Sequence, residues 1–128
     1  MENSILKGKK ILIVEDDLSS RLYLNKILEK TGAVIINAGD GQEALRYVND
    51  DADIDIILMD IQLPVMDGYT SAKKIRELRK EVKLIAQTAY SMSGDMDDIF
   101  SSGFDDFIIK PIYADQLIEK LSALFDKL

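Results

Sequence analysis

The chain has 128 residues, of which 47% are hydrophobic and 30% are charged, and this composition is that of an ordinary soluble globular domain. It contains no cysteine and no histidine, which excludes disulfides, thiolate nucleophiles, serine–histidine triads, histidine metal sites and phosphohistidine carriers. A formal net charge of −7 would repel nucleic acid and anionic lipid, so we expect no direct binding to nucleic acid or to a membrane.

The first half of the chain alternates short apolar strands with amphipathic helices. Lys10–Glu15 is predicted to be a buried strand, and Asp17 or Ser19 can cap the helix that follows it. That helix is predicted to run to about Thr31 and to stop at Gly32. The elements predicted next are a strand at Ala33–Ala38, a helix that follows the turn Gly39–Gly41 and runs through about Asn49, and a strand at Ile54–Asp60.

The second half continues the same alternation. A helix is predicted from about Tyr69 to Lys80, and a strand at Val82–Gln87. Ser91 can cap a fourth helix that ends at Gly103, and a fifth strand is predicted at Phe104–Lys110 before the last helix. Each helix is expected to bury apolar residues at helical spacing, namely Leu24, Ile27 and Leu28; Ala44, Leu45 and Val48; Ala72, Ile75 and Leu78; Met92, Met96, Ile99 and Phe100; and Leu117, Ile118, Leu121, Leu124 and Phe125.

Five strands that alternate with five helices through short connections predict an α/β fold with a doubly wound parallel sheet. We expect the flavodoxin-like strand order 2-1-3-4-5. The length suits a single domain over residues 1–128, with a core from about 9 to 127 and no effector domain. No apolar run approaches the roughly 20 residues of a membrane span and no signal peptide is recognisable, so we expect a cytoplasmic protein.

Ionisable and hydroxyl side chains stand at the carboxyl ends of the predicted strands. Glu15, Asp16 and Asp17 stand at the end of the first strand, Asp60 ends the third, Thr88 follows the fourth and Lys110 ends the fifth. Because strands 1 and 3 are neighbours at the point where the strand order reverses, we expect the acidic residues to lie beside Asp60. Clustered carboxylates repel one another, and a hard divalent cation with oxygen ligands relieves that repulsion.

Magnesium is the cation that fits this cluster best, because it accepts one or two carboxylates together with waters and a phosphoryl oxygen. A magnesium site beside a lysine and a hydroxyl is typical of phosphoryl transfer. The carboxylate of Asp60 can attack phosphorus to give an acyl phosphate, while Lys110 neutralises charge on the phosphoryl oxygens and Thr88 donates a hydrogen bond. The residues alone therefore indicate Asp60 as a nucleophile.

The chain also resembles a known family, the receiver domain of two-component response regulators, over about residues 9–127. Four motifs carry the resemblance: I-L-I-V-E-D-D at Ile11–Asp17, L-M-D-I-Q-L-P-V-M-D-G at Leu58–Gly68, Q-T-A-Y at Gln87–Tyr90, and I-I-K-P-I at Ile108–Ile112. The resemblance implies that Asp60 takes a phosphoryl group from the phosphohistidine of a histidine kinase or a histidine phosphotransfer protein. Phosphorylation and dephosphorylation would be self-catalysed, without turnover of a separate substrate.

The resemblance also implies a role for each matching residue. Asp16 would bind Mg²⁺ directly, Glu15 through water, and the backbone carbonyl of Gln62 would complete the protein ligands together with Asp60. Thr88 and Lys110 would contact the phosphoryl oxygens, and Phe107 would turn inward when Thr88 moves. The peptide bond Lys110–Pro111 would be cis. Gln62 and Tyr90 would tune hydrolysis of the acyl phosphate. Phosphorylation would then change the surface of the fourth helix, fifth strand and fifth helix. Whether two copies of the chain form a homodimer through this surface is left open.

Three other functions are compatible with parts of the sequence. A haloacid-dehalogenase-type phosphatase also uses a strand-end aspartate and magnesium, but it needs a second aspartate where this chain has Gln62. A flavodoxin-like cofactor binder needs a first loop rich in serine, threonine and glycine, and Glu15–Asp17 would repel its phosphate. A receiver-like interaction module that never takes phosphate has no need for the complete set of site residues.

Overall fold

The structure is a computed structural model that describes residues 5–89 and 93–125. Within those residues, five strands alternate with five helices, as the sequence predicts. In chain order the elements are β1 (Lys10–Val14), α1 (Leu18–Glu29), β2 (Val34–Ala38), α2 (Gly41–Asp50), β3 (Ile56–Asp60), α3 (Gly68–Leu78), β4 (Lys83–Thr88), α4 (Ser93–Ser101), β5 (Asp106–Ile109) and α5 (Ala114–Phe125). None of the described helices is both long enough and apolar enough to cross a membrane.

All five strands are parallel and stand in the order β2-β1-β3-β4-β5, which confirms the predicted topology. Val14 at the end of β1 is level with Met59 of β3, and Asp60 at the end of β3 is level with Gln87 of β4. The carboxyl ends of β1, β3 and β4 therefore lie side by side at one edge of the sheet, where ligands bind in open α/β sheets.

The sheet is covered on both faces, and each face has its own apolar core. One core joins the sheet to α2, α3 and α4, and the other joins it to α1 and α5. The strand β3 contributes to both, because successive side chains point to opposite faces: Ile57 and Met59 enter the first core, and Ile56 and Leu58 enter the second. The strand β3 is buried along its whole length and carries Asp60 at its end.

Two apolar positions do not lie where the sequence predicts. Leu78 was expected to face the core but is 51% exposed, because the turn that ends α3 directs Arg79 inward, where its guanidinium donates to the carbonyls of Asp51 and Ile54. Phe100 is 47% exposed, because the adjacent Ile99 fills the core position of α4. The Ser91 cap, Met92 and the side chain of Phe125 lie outside what the structure describes.

The predicted ends of elements differ from the observed ends by one to two residues. Asp17 is the cap of α1, as predicted, and its carboxylate accepts a hydrogen bond from the N–H of Ser20 at 2.9 Å. The helix α1 ends at Glu29, before the predicted Thr31, and Gly32 follows with φ +84°. The strand β5 begins at Asp106 instead of Phe104, whose side chain is buried in the core.

Candidate functional site

Three carboxylates meet at the carboxyl ends of β1 and β3. Glu15 directly follows β1 and is 2% exposed, Asp60 ends β3 and is 5% exposed, and Asp16 is exposed. Each of the three offers a carboxylate oxygen, and these oxygens lie within 4.8 Å of one another. The neighbouring positions of β1 and β3 in the sheet produce this cluster from residues that are far apart in the sequence.

One ammonium group reaches the cluster from β5. Lys110 donates a hydrogen bond from Nζ to Oδ2 of Asp60 at 2.8 Å, and the same nitrogen lies 3.8 Å from Oε1 of Glu15. Burial by itself lowers the pKa of Lys110, but the hydrogen bond to Asp60 and the nearby carboxylates outweigh it and leave this pKa above its usual value. Lys110 is therefore held protonated, and the peptide bond to Pro111 is cis, as expected.

The cluster nevertheless carries more negative charge than this lysine neutralises. Burial raises the pKa of Glu15, and the charges of Asp60 and Asp16 raise it further against the opposing effects of the Asp17 N–H and Lys110. Oε1 of Glu15 is buried and accepts no hydrogen bond. A buried oxygen that accepts no hydrogen bond, among three carboxylates, fits a divalent cation with oxygen ligands, and Mg²⁺ suits such a donor set.

Asp60 is fixed through both of its carboxylate oxygens. Oδ2 accepts from Lys110, and Oδ1 accepts from the backbone N–H of Gln62 at 2.9 Å. Beside it lies a cavity of about 160 Å³, whose lining combines acidic, ammonium, hydroxyl and amide groups: Asp60, Ile61, Gln62, Tyr69, Thr88, Ala89 and Lys110. The cavity thus brings hydrogen-bond donors to the exposed side of the Asp60 carboxylate.

Thr88 and Phe107 lie on neighbouring strands at this end of the sheet. Thr88 ends β4 and lines the cavity, and its carbonyl accepts from the N–H of Lys110 at 2.7 Å. Phe107 is half-buried, and its ring meets that of Phe100 edge to face at a centroid distance of 6.2 Å. The ammonium of Lys120 lies 5.3 Å from the centre of the same ring. Phe107 therefore lies between α4 and α5, half-buried against the core that includes α4, and it is not among the residues that line the cavity.

The structure brings together six of the residues that the sequence singled out, namely Glu15, Asp16, Asp60, Gln62, Thr88 and Lys110. Tyr90 lies outside the described residues. Sequence reasoning missed Tyr69, which lines the cavity, and Arg21, which contacts the backbone of Glu15. In the sequence, Tyr69 is distinguished only by its place in the helix that follows the Asp60 loop. Arg21 could have been noticed, because a cation near the start of α1 opposes the helix dipole.

A glycine lets the loop after Asp60 close. A Cβ atom on Gly68 would lie 2.6 Å from the backbone oxygen of Asp60 and 2.5 Å from Cα of Ile61, and both of these atoms belong to the backbone. The N–H of Gly68 also donates to the carbonyl of Ile61 at 3.1 Å. The start of α3 therefore packs directly against the strand end that carries Asp60.

Comparison with known proteins agrees with this arrangement. The sequence model of a family described as the response regulator receiver domain matches residues 11–122. Two-component system protein A of Emericella nidulans is 38% identical over 120 residues, which make up 92% of this chain and 18% of that protein. The chain thus spans a small part of this relative's length.

Solved structures of similar chains share the fold along most of their length. The receiver domain of the Pseudomonas aeruginosa sensor histidine kinase PA1611, solved with a magnesium ion in its active site cleft, is 32% identical with a TM-score of 0.82, covering 91% of this chain and 96% of that one. The Saccharomyces cerevisiae Ssk1 receiver domain, co-crystallised with the histidine phosphotransfer protein Ypd1, gives 29% identity and a TM-score of 0.86, covering 91% of this chain and 88% of that one.

Proposed function

The chain belongs to the response regulator receiver domain family, and on that premise we propose that Asp60 is its phosphoacceptor. The observation that carries the proposal is the convergence of three carboxylate oxygens within 4.8 Å with one ammonium bonded to Asp60. Nothing in the stability of the fold requires this concentration of buried charge, which is costly unless it serves a ligand. The domain would relay a signal through the state of Asp60 and would not turn over a separate substrate.

The cation of the site is proposed to be Mg²⁺. Asp16 and Asp60 would bind it directly, Glu15 through water, and the backbone carbonyl of Gln62 would supply a further oxygen. When bound, the ion would neutralise charge on the phosphoryl oxygens and on the attacking carboxylate. Oε1 of Glu15 supports this assignment, because it accepts no hydrogen bond from the protein and the water of a hydrated cation supplies one.

The transfer itself would form one bond and break another. A carboxylate oxygen of Asp60 attacks the phosphorus of a phosphohistidine, the phosphorus–nitrogen bond breaks, and the imidazole leaves with the electron pair of that bond. The product is an acyl phosphate on Asp60. Lys110 stabilises the charge on the transferred oxygens, since its pKa lies above its usual value and it stays an ammonium at neutral pH. Thr88 would then donate its hydroxyl to one phosphoryl oxygen.

The phosphoryl group would be read out at the surface that holds Phe107. An inward movement of Thr88 toward the phosphoryl group would open space behind β4, and the half-buried Phe107 would turn into it. Its present contacts with Phe100 and Lys120 would be lost, so the surface of α4, β5 and α5 would change. Tyr90 and Gln62 would tune how long the acyl phosphate lasts.

The donor is proposed to be a phosphohistidine on a protein, either a histidine kinase or a histidine phosphotransfer protein. Exposed apolar side chains next to the site support a protein donor: Leu18, Leu22 and Tyr23 on α1, and Tyr113 before α5. The Ssk1 receiver domain, which resembles this chain, is found with such a phosphotransfer protein. Association of two copies of the chain is part of the same proposal. It is tested by measuring the molecular mass of the phosphorylated protein in solution.

The test is the mass of the intact protein after incubation with acetyl phosphate. We expect one phosphoryl adduct in the presence of Mg²⁺, none after chelation, and none in Asp60→Asn. The matched control is Asp67→Asn, which changes an exposed carboxylate in the same loop that caps α3. If no adduct forms with acetyl phosphate, with phosphoramidate or with a phosphorylated histidine phosphotransfer protein, Asp60 is not a phosphoacceptor and the domain is a receiver-shaped binding module.

A further inference from the structure

Arg21 binds the backbone at the point where the acidic cluster begins. Its guanidinium donates two hydrogen bonds to the carbonyl oxygen of Glu15, from Nε at 3.2 Å and from Nη2 at 2.9 Å. Its own N–H donates to the carbonyl of Asp17 at 2.9 Å. A cation in the first turn of a helix is unfavourable for that helix, so the stability of α1 gives no reason for an arginine here.

The two hydrogen bonds from Arg21 hold the carbonyl group of Glu15 in place. On its other side, the N–H of Glu15 donates to the carbonyl of Ala38 in β2 at 3.0 Å. The carboxylate of Glu15 accepts the N–H of Asp17 at 3.1 Å, so the turn folds back on itself. The loop from Glu15 to Asp17 is thus held to β2 on one side and to α1 on the other, where the Arg21 side chain adds to the cap that Asp17 forms with Ser20.

Arg21 acts on this loop through the shape of its side chain. The guanidinium meets the main-chain carbonyl of Glu15 with a planar fork, a geometry that lysine cannot reproduce. Two bonds on one carbonyl fix both the position and the tilt of that peptide group.

We infer that Arg21 is a positioning residue of the cation site: its fork on the Glu15 carbonyl holds the loop in the course that brings Glu15 and Asp16 to Asp60. This inference rests on the proposed function, in which that cluster binds Mg²⁺. Groups that orient metal ligands from the second layer are worth about 10- to 100-fold in metal affinity. Without the fork, Glu15 and Asp16 would sample other positions, and the ion would have to order them when it binds.

The experiment measures Mg²⁺ binding to the unphosphorylated protein, by calorimetry and by the rise of the melting temperature during a Mg²⁺ titration. We expect Arg21→Lys and Arg21→Gln both to raise the half-saturating Mg²⁺ concentration about 10-fold. Phosphorylation by acetyl phosphate should then slow at low Mg²⁺ and recover at saturating Mg²⁺. The failure of Arg21→Lys to restore affinity would identify the fork, and not the charge, as the cause.

Arg79→Lys is the matched control. Arg79 also donates to two backbone carbonyls, those of Asp51 and Ile54, but at the opposite end of β3 from Asp60. Its variant should lower the melting temperature without changing the Mg²⁺ titration. An unchanged titration in both Arg21 variants would overturn the inference alone, whereas absence of Mg²⁺ binding to the unmodified protein would overturn the proposed function.

Discussion

The side chain of Glu15 places a carboxyl group where its ionised form is unfavourable for the fold. It is buried with one oxygen unbonded, and burial is the first cause that raises its pKa. A raised pKa in the folded state contributes stability below the pKa of the unfolded chain, and this contribution is lost as the pH rises through the folded-state value. The ionised form of Glu15 therefore destabilises the fold when no cation is bound.

We predict that Glu15→Gln raises the melting temperature at pH 7 in the absence of Mg²⁺ by a few degrees. The glutamine keeps the shape of the side chain and removes the charge. The gain should shrink as the pH falls, because the raised pKa of Glu15 lets the unmodified protein take up the proton earlier than an ordinary glutamate does. Added Mg²⁺ should stabilise the variant less than the unmodified protein. Thermal unfolding at several pH values measures all three effects.

The exposed Glu77, changed in the same way, serves as the control and should melt unchanged. A lower or equal melting temperature for Glu15→Gln at pH 7 would mean that the unbonded oxygen is satisfied in solution. The interpretation of Glu15 as a buried charge that is stabilised by a bound cation would then be wrong.

Single residues were predictable from the sequence where they stand at strand ends. Asp60 and Lys110 each terminate an apolar run, so their position at the functional edge of the sheet follows from the alternation of elements. Arg21 was not predictable as a partner of Glu15, because a bond from a side chain to a backbone carbonyl leaves no periodic pattern. Its unfavourable place in the first turn of α1 was the available hint.

At the scale of elements, α1 depends on a cap that lies next to the site. The carboxylate of Asp17 accepts the N–H of Ser20, and this bond is the first cause that lowers the pKa of Asp17. A lowered pKa contributes stability above the pKa of the unfolded chain, and this contribution is lost as the pH falls through the folded-state value. The cap therefore stabilises α1 at neutral pH and loses its effect in acid.

We predict that Asp17→Ala lowers the melting temperature at pH 7 by a few degrees, and that this loss becomes smaller as the pH falls and the carboxylate of the unmodified protein takes up a proton. Ser19→Ala is the control, because the sequence offered Ser19 as the other cap and the structure places it inside α1. Thermal unfolding of both variants decides between the two. A larger loss in Ser19→Ala would mean that α1 begins two residues later in solution.

The type and order of the elements were predictable, while their ends and faces were less so. Apolar runs and helical spacing gave all ten elements, because both signals extend over several residues. Leu78 and Phe100 were placed in the core by spacing alone, and both are exposed. In each case a neighbour, Arg79 or Ile99, takes the inward position, and the direction of a helix end depends on tertiary contacts that spacing does not contain.

At the scale of the whole molecule, Arg76 joins parts of the chain that the sheet does not join. Its guanidinium donates to the carbonyl of Gly103 at 2.7 and 3.1 Å, and to those of Lys80 and Val82, both at 2.8 Å. It also forms an ion pair with Asp105 at 2.9 Å. One side chain of α3 thus fixes the entry to β4 and the turn between α4 and β5.

We predict that Arg76→Ala lowers the free energy of unfolding by about 2 kcal/mol, because several partly buried carbonyls lose their donor together. Arg46→Ala should cost less than about 0.5 kcal/mol, since its ion pair with Glu43 is 3.9 Å long and the arginine is highly exposed. Urea denaturation of both variants provides the comparison. An equal decrease in the free energy of unfolding for the two variants would show that water replaces the hydrogen bonds of Arg76 without loss of stability.

The overall topology was the most predictable property of the molecule. Short connections and a right-handed crossover between parallel strands leave few arrangements of five alternating strands and helices, and the order 2-1-3-4-5 is one of them. That order places β1 between β2 and β3, and from it follows the meeting of Glu15 with Asp60. The half-buried position of Phe107 was not implied by topology, because it depends on how α4 and α5 pack beside β5.

The hydrogen bond between Lys110 and Asp60 also bears on how the molecule folds. The two residues are 50 positions apart in the chain, and β4 lies between the strands that carry them. Contacts of such long sequence separation form slowly, because the loop between them must close before the contact stabilises it. A chain in which β4 or β5 has not yet joined the sheet can bring the carboxylates of β1 and β3 together, but it lacks this hydrogen bond. The ammonium that faces Asp60 is therefore added only when the last strand is in place.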